Sequence, residues 1–192
     1  MDKENLNKKE QSYIAPCGIY CGACDAYLGK SKELAKELHR ILDGFNILDV
    51  APVVLGTDQN KIKSFMKILK KWSKGINCKG CNGGGGNPMC PIIKCTKQKN
   101  FLTCTECENF PCQPSEEDGK MPLMNKAGML ELISKRYGYW NIENLKRIKE
   151  IGYKKFIEEM QEKVKKGFLT SDVITKEMLF SKFVQQIENS EK

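Results

Sequence analysis

The cysteine spacing constrains this chain more than any other feature. Seven of its ten cysteines fall within 35 residues, as Cys78-x2-Cys81-x8-Cys90-x4-Cys95-x8-Cys104-x2-Cys107-x4-Cys112. The other three form a trio near the start, Cys17-x3-Cys21-x2-Cys24. A Cys-x2-Cys pair presents two sulfurs from one tight turn, and two such turns close a tetrahedral metal site. Cys78/Cys81 and Cys104/Cys107 are pairs of this kind. The trio supplies three sulfurs and needs a fourth ligand from Cys90, Cys95 or Cys112. A local set of Cys78, Cys81, Cys90 and Cys95 competes with both arrangements. All ten cysteines are therefore expected to bind metal.

Tetrahedral all-thiolate sites favour zinc or iron–sulfur. Zinc is the expected metal and an iron–sulfur cluster the alternative. Two details speak for iron: the trio has the spacing of radical S-adenosylmethionine enzymes, and Cys90-Pro91 echoes the Cys-Pro that closes bacterial ferredoxin motifs. Radical enzymes of that kind are built on repeated strand–helix units, and the chain shows no such alternation. Between Cys78 and Cys112 the larger apolar side chains are Met89, Ile92, Ile93, Phe101, Leu102 and Phe110. So few give a weak core, and metal is expected to hold this stretch together.

Compartment decides how clustered cysteines are read. The first ten residues are polar and lack the apolar stretch of a secretion signal. No apolar run approaches the roughly 18–20 residues that span a bilayer. The expected location is the cytoplasm, with no membrane partner. In a reducing cytosol clustered cysteines bind metal or do redox work more often than they form disulfides.

The formal charge of +8 is concentrated. Residues 61–113 carry ten basic and two acidic side chains, so the excess surrounds the cysteines. Nearby cations stabilise thiolate, which gives these lysines a local role. Thiolates of metal sites in turn offset part of the excess and weaken the case for nucleic acid.

The chain reads as mostly α-helical, a small α+β arrangement being the alternative, with an irregular metal-stapled centre packed against helices. Residues 1–12 are expected as a flexible arm, 13–113 as a cysteine-rich metal-binding domain, 114–124 as a linker and 125–192 as a helical extension. Leu34, Leu38, Ile41 and Leu42 mark a helix that Gly44 stops. Residues 45–56 read as an apolar, extended connection. Ile62, Phe65, Met66, Leu69 and Trp72 mark a lysine-covered helix over 58–74, opened by Thr57 or Asp58 and closed by Gly75. A short helix is expected from Pro91 to Lys99. Further helices centre on Met129–Ile133, Ile142–Ile151, Phe156–Met160 and Met178–Ile187.

The segments Ile14-Ala-Pro-Cys-Gly-Ile-Tyr-Cys-Gly-Ala-Cys-Asp-Ala-Tyr27, Cys78-Lys-Gly-Cys81, Cys90-Pro-Ile-Ile-Lys-Cys95, Cys104-Thr-Glu-Cys107 and Phe110-Pro-Cys112 carry a resemblance. In this order they resemble a prokaryotic cysteine-rich family catalogued as domain of unknown function 3795. The resemblance covers about residues 13–113, and Asn144–Ile151 is similar to the family's usual tail. It implies a cytosolic metal-binding protein and no activity.

Other motifs read blandly. Gly83–Gly86 lacks the strand before and the helix with Lys-Ser/Thr after that a phosphate loop requires. His39, the one histidine, lies mid-helix among charges. Asp25 and Tyr27 follow the trio and suit either a helix start or support of a metal ligand. No carboxylate pair or nucleophile–base pair is legible, so no catalytic residue is expected. The leading function is a metal-binding interaction module that offers basic helix 58–74 to a protein partner. An iron–sulfur or thiol redox protein is the alternative, and a nucleic-acid-binding module a second one.

Overall fold

The computed structural model describes residues 3–75, 78–113 and 124–175. Among these residues the fold is helical, and strand-like pairing is limited to one isolated antiparallel bridge between Ile14 and Tyr20. The mostly α expectation holds and the α+β alternative does not. The chain divides into two compact units: residues 1–24 with 79–192, and Asp25–Cys78. The expected boundary at 114–124 thus falls inside the first unit, and most of that expected linker lies outside the described residues. The expected helix at Met178–Ile187 also lies outside them.

The first unit contains α1 (Lys8–Ser12), α6 (Pro91–Gln98), α7 (Lys126–Arg136), α8 (Trp140–Ile151) and α9 (Tyr153–Lys165). Its core joins the two ends of the chain. Leu6, Ile14, Tyr20 and Ala23 pack with Ile148, Tyr153, Phe156, Ile157 and Met160. Tyr20 meets Phe156 edge-on, with ring centroids 6.0 Å apart. Helix α9 fits this role because Tyr153, Phe156, Ile157 and Met160 recur at three- and four-residue steps on one face.

The first residues are not a loose arm. Leu6 is buried in the core, and Asn7 caps α1 by accepting from the Lys9 and Glu10 amides while Glu10 accepts from the Asn7 amide. Such reciprocal capping satisfies donors that a helix start leaves unpaired. Lys3 adds an ion pair of 2.6 Å to Glu106. One apolar residue and one capping box anchor a segment that is otherwise polar.

The second unit contains α2 (Asp25–Leu28), α3 (Lys30–Gly44), α4 (Ile47–Leu55) and α5 (Gln59–Lys74). Asp25 fixes the turn between α2 and α3 by accepting from the Ser31 amide and hydroxyl. Asp58 caps α5 by accepting from the Asn60 and Lys61 amides. The stretch expected as an extended connection is helix α4. Valines and Pro52 suggest extension, but the lost donor at Pro52 leaves the Leu48 carbonyl free, and Gln59 Nε2 donates to it at 3.3 Å. Helices α3 and α5 pack along their lengths. The lysines of α5 at 61, 63, 67, 70, 71 and 74 are all exposed. Trp72 is exposed too, whereas Tyr20 of the first unit is core.

Candidate metal centre

Three backbone turns present most of the sulfurs. Cys21–Ala23 and Cys104–Glu106 are single 3-10 turns, in which the Cys24 amide donates to the Cys21 carbonyl and the Cys107 amide to the Cys104 carbonyl. Both Cys-x2-Cys units thus adopt the same knuckle. Near Cys81, the Gly85 amide donates to the Gly80 carbonyl at 2.7 Å. A Cβ on Gly86, whose φ is +80°, would stand 2.7 Å from the Cys81 sulfur. The glycine run is therefore a turn beside a cysteine, and the lack of a side chain is a steric requirement at Gly83, where a Cβ would stand 1.9 Å from the Lys79 carbonyl oxygen, and at Gly86.

Polar side chains from distant parts of the sequence tie these turns together. Asn82 Nδ2 donates to the carbonyls of Ile14 and Leu102 at 2.7 and 3.0 Å. The Cys104 amide donates to the Pro16 carbonyl at 2.9 Å. From α8, Asn141 Nδ2 donates to the Cys17 carbonyl at 3.0 Å and Asn144 Nδ2 to the Gly18 carbonyl at 2.9 Å. Thr105 donates to the Leu145 carbonyl and Thr170 to the Tyr20 carbonyl. Glu106 supports the second knuckle: its Oε1 accepts from the Leu102 amide and the Tyr153 hydroxyl, both at 2.7 Å. Cysteine spacing alone does not reveal these residues. One signal was available: Asn141 and Asn144 share the buried face of α8 with Leu145 and Ile148, and polar groups on an apolar stripe need partners.

The sulfurs gather in two groups. Cys95, Cys104, Cys107 and Cys112 line one cavity of about 30 Å³, together with Lys99 and Lys126. That is room for an ion or one or two waters. Lys99 Nζ stands 3.7 Å from the Cys107 sulfur. The second group comprises Cys17, Cys21, Cys81 and Cys90. Cys21 and Cys81 share a sulfur–sulfur hydrogen bond, and Cys17 lies within electrostatic reach of Cys81, Cys90 and Cys104. Cys24 acts on Tyr137 with Cys17. Cys78 belongs to the second unit, where its amide donates to the Ala26 carbonyl at 3.2 Å. The knuckle at 104–107 therefore joins Cys95 and Cys112. Of the three fourth ligands considered for the trio, Cys90 lies within electrostatic reach of Cys17.

Burial pushes the Cys17 thiol up to about 12, with Cys81 and Cys90 adding to the rise. Burial likewise raises Cys104, reinforced by Cys17, Cys112, Cys95 and Cys107. The hydrogen bond from Cys21 lowers Cys81 to about 7, and the same bond, with burial, raises Cys21. The Cys21–Cys81 pair thus loses its first proton from Cys81, and the charge that forms there is held by the hydrogen bond from Cys21. All ten cysteines are free thiols. Among the described residues, no three Cys, His, Asp or Glu side chains are arranged as the ligands of one ion. The donor chemistry nonetheless fits a soft or borderline cation, because four cysteines line one small cavity.

His39 sits apart, half-buried in the second unit beside a cleft with Asp43, Lys63 and Met66. Asp25 acts within the α2–α3 turn, as the helix-start reading expects. No helix among the described residues is long and apolar enough to cross a membrane. No curated protein and no solved structure matches the chain significantly. The family described as protein of unknown function DUF3795 matches residues 13–117, more than half of the sequence and all ten cysteines, and the chain belongs to that family.

Proposed function

We propose that this protein is a non-catalytic metal-binding module whose cysteine centre holds structural zinc. The observation that carries this reading is the small cavity that Cys95, Cys104, Cys107 and Cys112 line together. Lys99 and Lys126 border the same space and offset the charge of four thiolates. Zinc needs no redox change and accepts tetrahedral sulfur ligands, which suits a structural role. Cys17, Cys21, Cys81 and Cys90 form the candidate second site. There the proton shared by Cys21 and Cys81 leaves when both sulfurs become ligands, so binding is linked to pH. The exposed lysines of α5 offer a basic surface to a protein partner.

The low value of Cys81 favours one rival, a thiol redox protein, since thiolate is the reactive form. Metal analysis of anaerobically purified protein separates the two. The expected result is colourless protein with zinc bound, and Cys104→Ser and Cys107→Ser variants that lose zinc from the first site while Cys21→Ser keeps it. Brown, iron-containing protein would establish the iron–sulfur alternative. Metal-free protein with ten titratable thiols would overturn metal binding altogether.

A further inference from the structure

The second unit holds a cleft that the metal centre does not use. It has a volume of about 360 Å³ and is lined from α3, α4 and α5. That volume falls in the range of small-molecule sites. From α5 come Lys63, Lys67 and Lys70, which follow one another at steps of four and three, so one face of the helix presents all three. From α3 come His39 and Asp43, one turn apart. Among the described residues lining the cleft, Asp43 is the one acid.

The charges of this cleft are not balanced within the unit. Helix α5 carries lysines and no acidic residue, and like charges one turn apart destabilise a helix. Among the described residues, Lys63, Lys67 and Lys70 form no ion pair, whereas Lys135 and Lys165 of the first unit each pair with a glutamate on their own helix. Three cations thus face one carboxylate, and two positive charges are left over. The start of α4 adds to this field: Ile47 and Leu48 line the cleft, and no side chain caps that helix start, whose amides favour negative charge. The rest of the lining is apolar. Met66, Ile47 and Leu48 are half-buried, while the three lysines are exposed.

We propose that this cleft binds a small organic phosphate, a monoester whose apolar body lies on Met66, Ile47 and Leu48 while Lys63, Lys67 and Lys70 hold its phosphate. A phosphate monoester carries a charge of about −1.5 to −2 at pH 7, which matches the two uncompensated cations; a carboxylate carries about half of that. Lysine binds phosphate as a point charge, so three flexible side chains can converge on one group. His39 has a ring N–H to donate in either protonation state. A concave site with a few polar groups beside apolar lining is the form of a small-molecule site, whereas protein partners cover broad surfaces. Lys61, Lys71 and Lys74 lie outside the cleft and remain available to the protein partner proposed above.

Titration of the nitrogen-15-labelled full chain with phenyl phosphate, followed by amide NMR shifts, tests this. Phenyl phosphate should shift amides in residues 39–48 and 63–70. It should bind about tenfold tighter than inorganic phosphate, the factor that burying roughly 55 Å² of apolar surface gives. Lys67→Gln weakens binding about three- to fivefold, and Lys63→Gln with Lys67→Gln about tenfold or more. Lys74→Gln removes the same charge outside the cleft and leaves the affinity unchanged. All of these lysines are exposed, so helicity by circular dichroism is the same in every variant. No shift at millimolar phenyl phosphate overturns the inference, as does equal weakening by Lys74→Gln. Inorganic phosphate that binds as tightly as phenyl phosphate means an adventitious ion only, and also overturns it. So do poly-glutamate or phosphatidic acid vesicles that shift these amides where phenyl phosphate does not; the ligand is then an acidic protein or a membrane surface. None of these readouts depends on metal, so failure here leaves the zinc reading standing.

Discussion

Replacing Glu106 with glutamine tests how the 104–107 knuckle is held. The carboxylate accepts at Oε1 from the Leu102 amide and the Tyr153 hydroxyl, and at Oε2 from Lys3 at 2.6 Å. Tyr153 has one proton and gives it to Glu106, so Thr103 is the donor in the 2.9 Å bond between its hydroxyl and that of Tyr153. Glutamine breaks this arrangement in either orientation: its Nε2 faces Lys3, or it faces the Leu102 amide and the tyrosine hydroxyl. Charge-assisted bonds worth about 1.5–3 kcal/mol become neutral or unmade, so Glu106→Gln costs about 2–3 kcal/mol. For a chain of this size that lowers Tm by about 4–12 °C.

Burial alone would raise the Glu106 carboxyl, but the hydrogen bonds from Lys3, Tyr153 and the Leu102 amide outweigh it and hold the group below 4.5. A lowered folded value adds stability that is full above the unfolded value and is lost as pH falls through the folded one. Denaturant titrations of both proteins across pH are the assay. The gap between wild type and Glu106→Gln should be flat from neutral pH down to the ordinary carboxyl range, and should close below it. Loss of metal at low pH affects both proteins and leaves this difference interpretable. Equal stability at pH 7, or a gap that persists in strong acid, would refute the network.

Two further expectations concern the trio. Gly18 has φ +91°, and a Cβ there would stand 2.6 Å from Leu145 Cγ, so Gly18→Ala costs about 3 kcal/mol in backbone strain and overpacking. Gly29 has φ +73° with nothing within 4 Å, so Gly29→Ala costs only the backbone share, about 1–2 kcal/mol. Equal losses in urea denaturation would mean that α8 does not clamp the Cys17 turn. In reduced, chelator-treated protein at pH 7, iodoacetamide should label Cys81, with its value near 7, well before Cys17, held near 12. Peptide mass spectrometry reads the order, and labelling of Cys17 as fast as Cys81 would contradict the shared-proton pair.

Helix positions were legible wherever a cap, an apolar period and a stop coincided. Asp58, the Ile62–Trp72 stripe and Gly75 define α5 closely. The sequence misleads where one local signal is outvoted by a distant contact. Leu6 is a single apolar residue in a polar segment, and only the core formed with α9 gives it a place. Pro52 and the valines around it argue against a helix, and the donor that repairs the ladder comes from Gln59. The clustering of cysteines along the sequence was plain from spacing, but which of them lie near one another was not. Which sulfur faces which depends on Asn82, Asn141 and Asn144, whose bonds span 20 to 126 residues.

Those bonds change what the cysteine stretch requires of a metal. With so few apolar side chains between Cys78 and Cys112, metal looked like the main source of order. Yet the carbonyls of Ile14, Pro16, Cys17, Gly18 and Tyr20 each accept from a residue at least 68 positions away. Each such bond removes a buried acceptor's desolvation penalty, so losing its donor costs more than the bond's modest net worth. The trio's backbone is thus set by α8, Asn82 and Thr170 through protein atoms alone. The group at 95–112 differs, since its cysteines line a cavity. A metal there would add cross-links across that cavity, between segments that the hydrogen bonds of the knuckle alone do not join. The trio's group, already clamped and carrying the acidic thiol Cys81, is the better placed of the two to react as a thiolate.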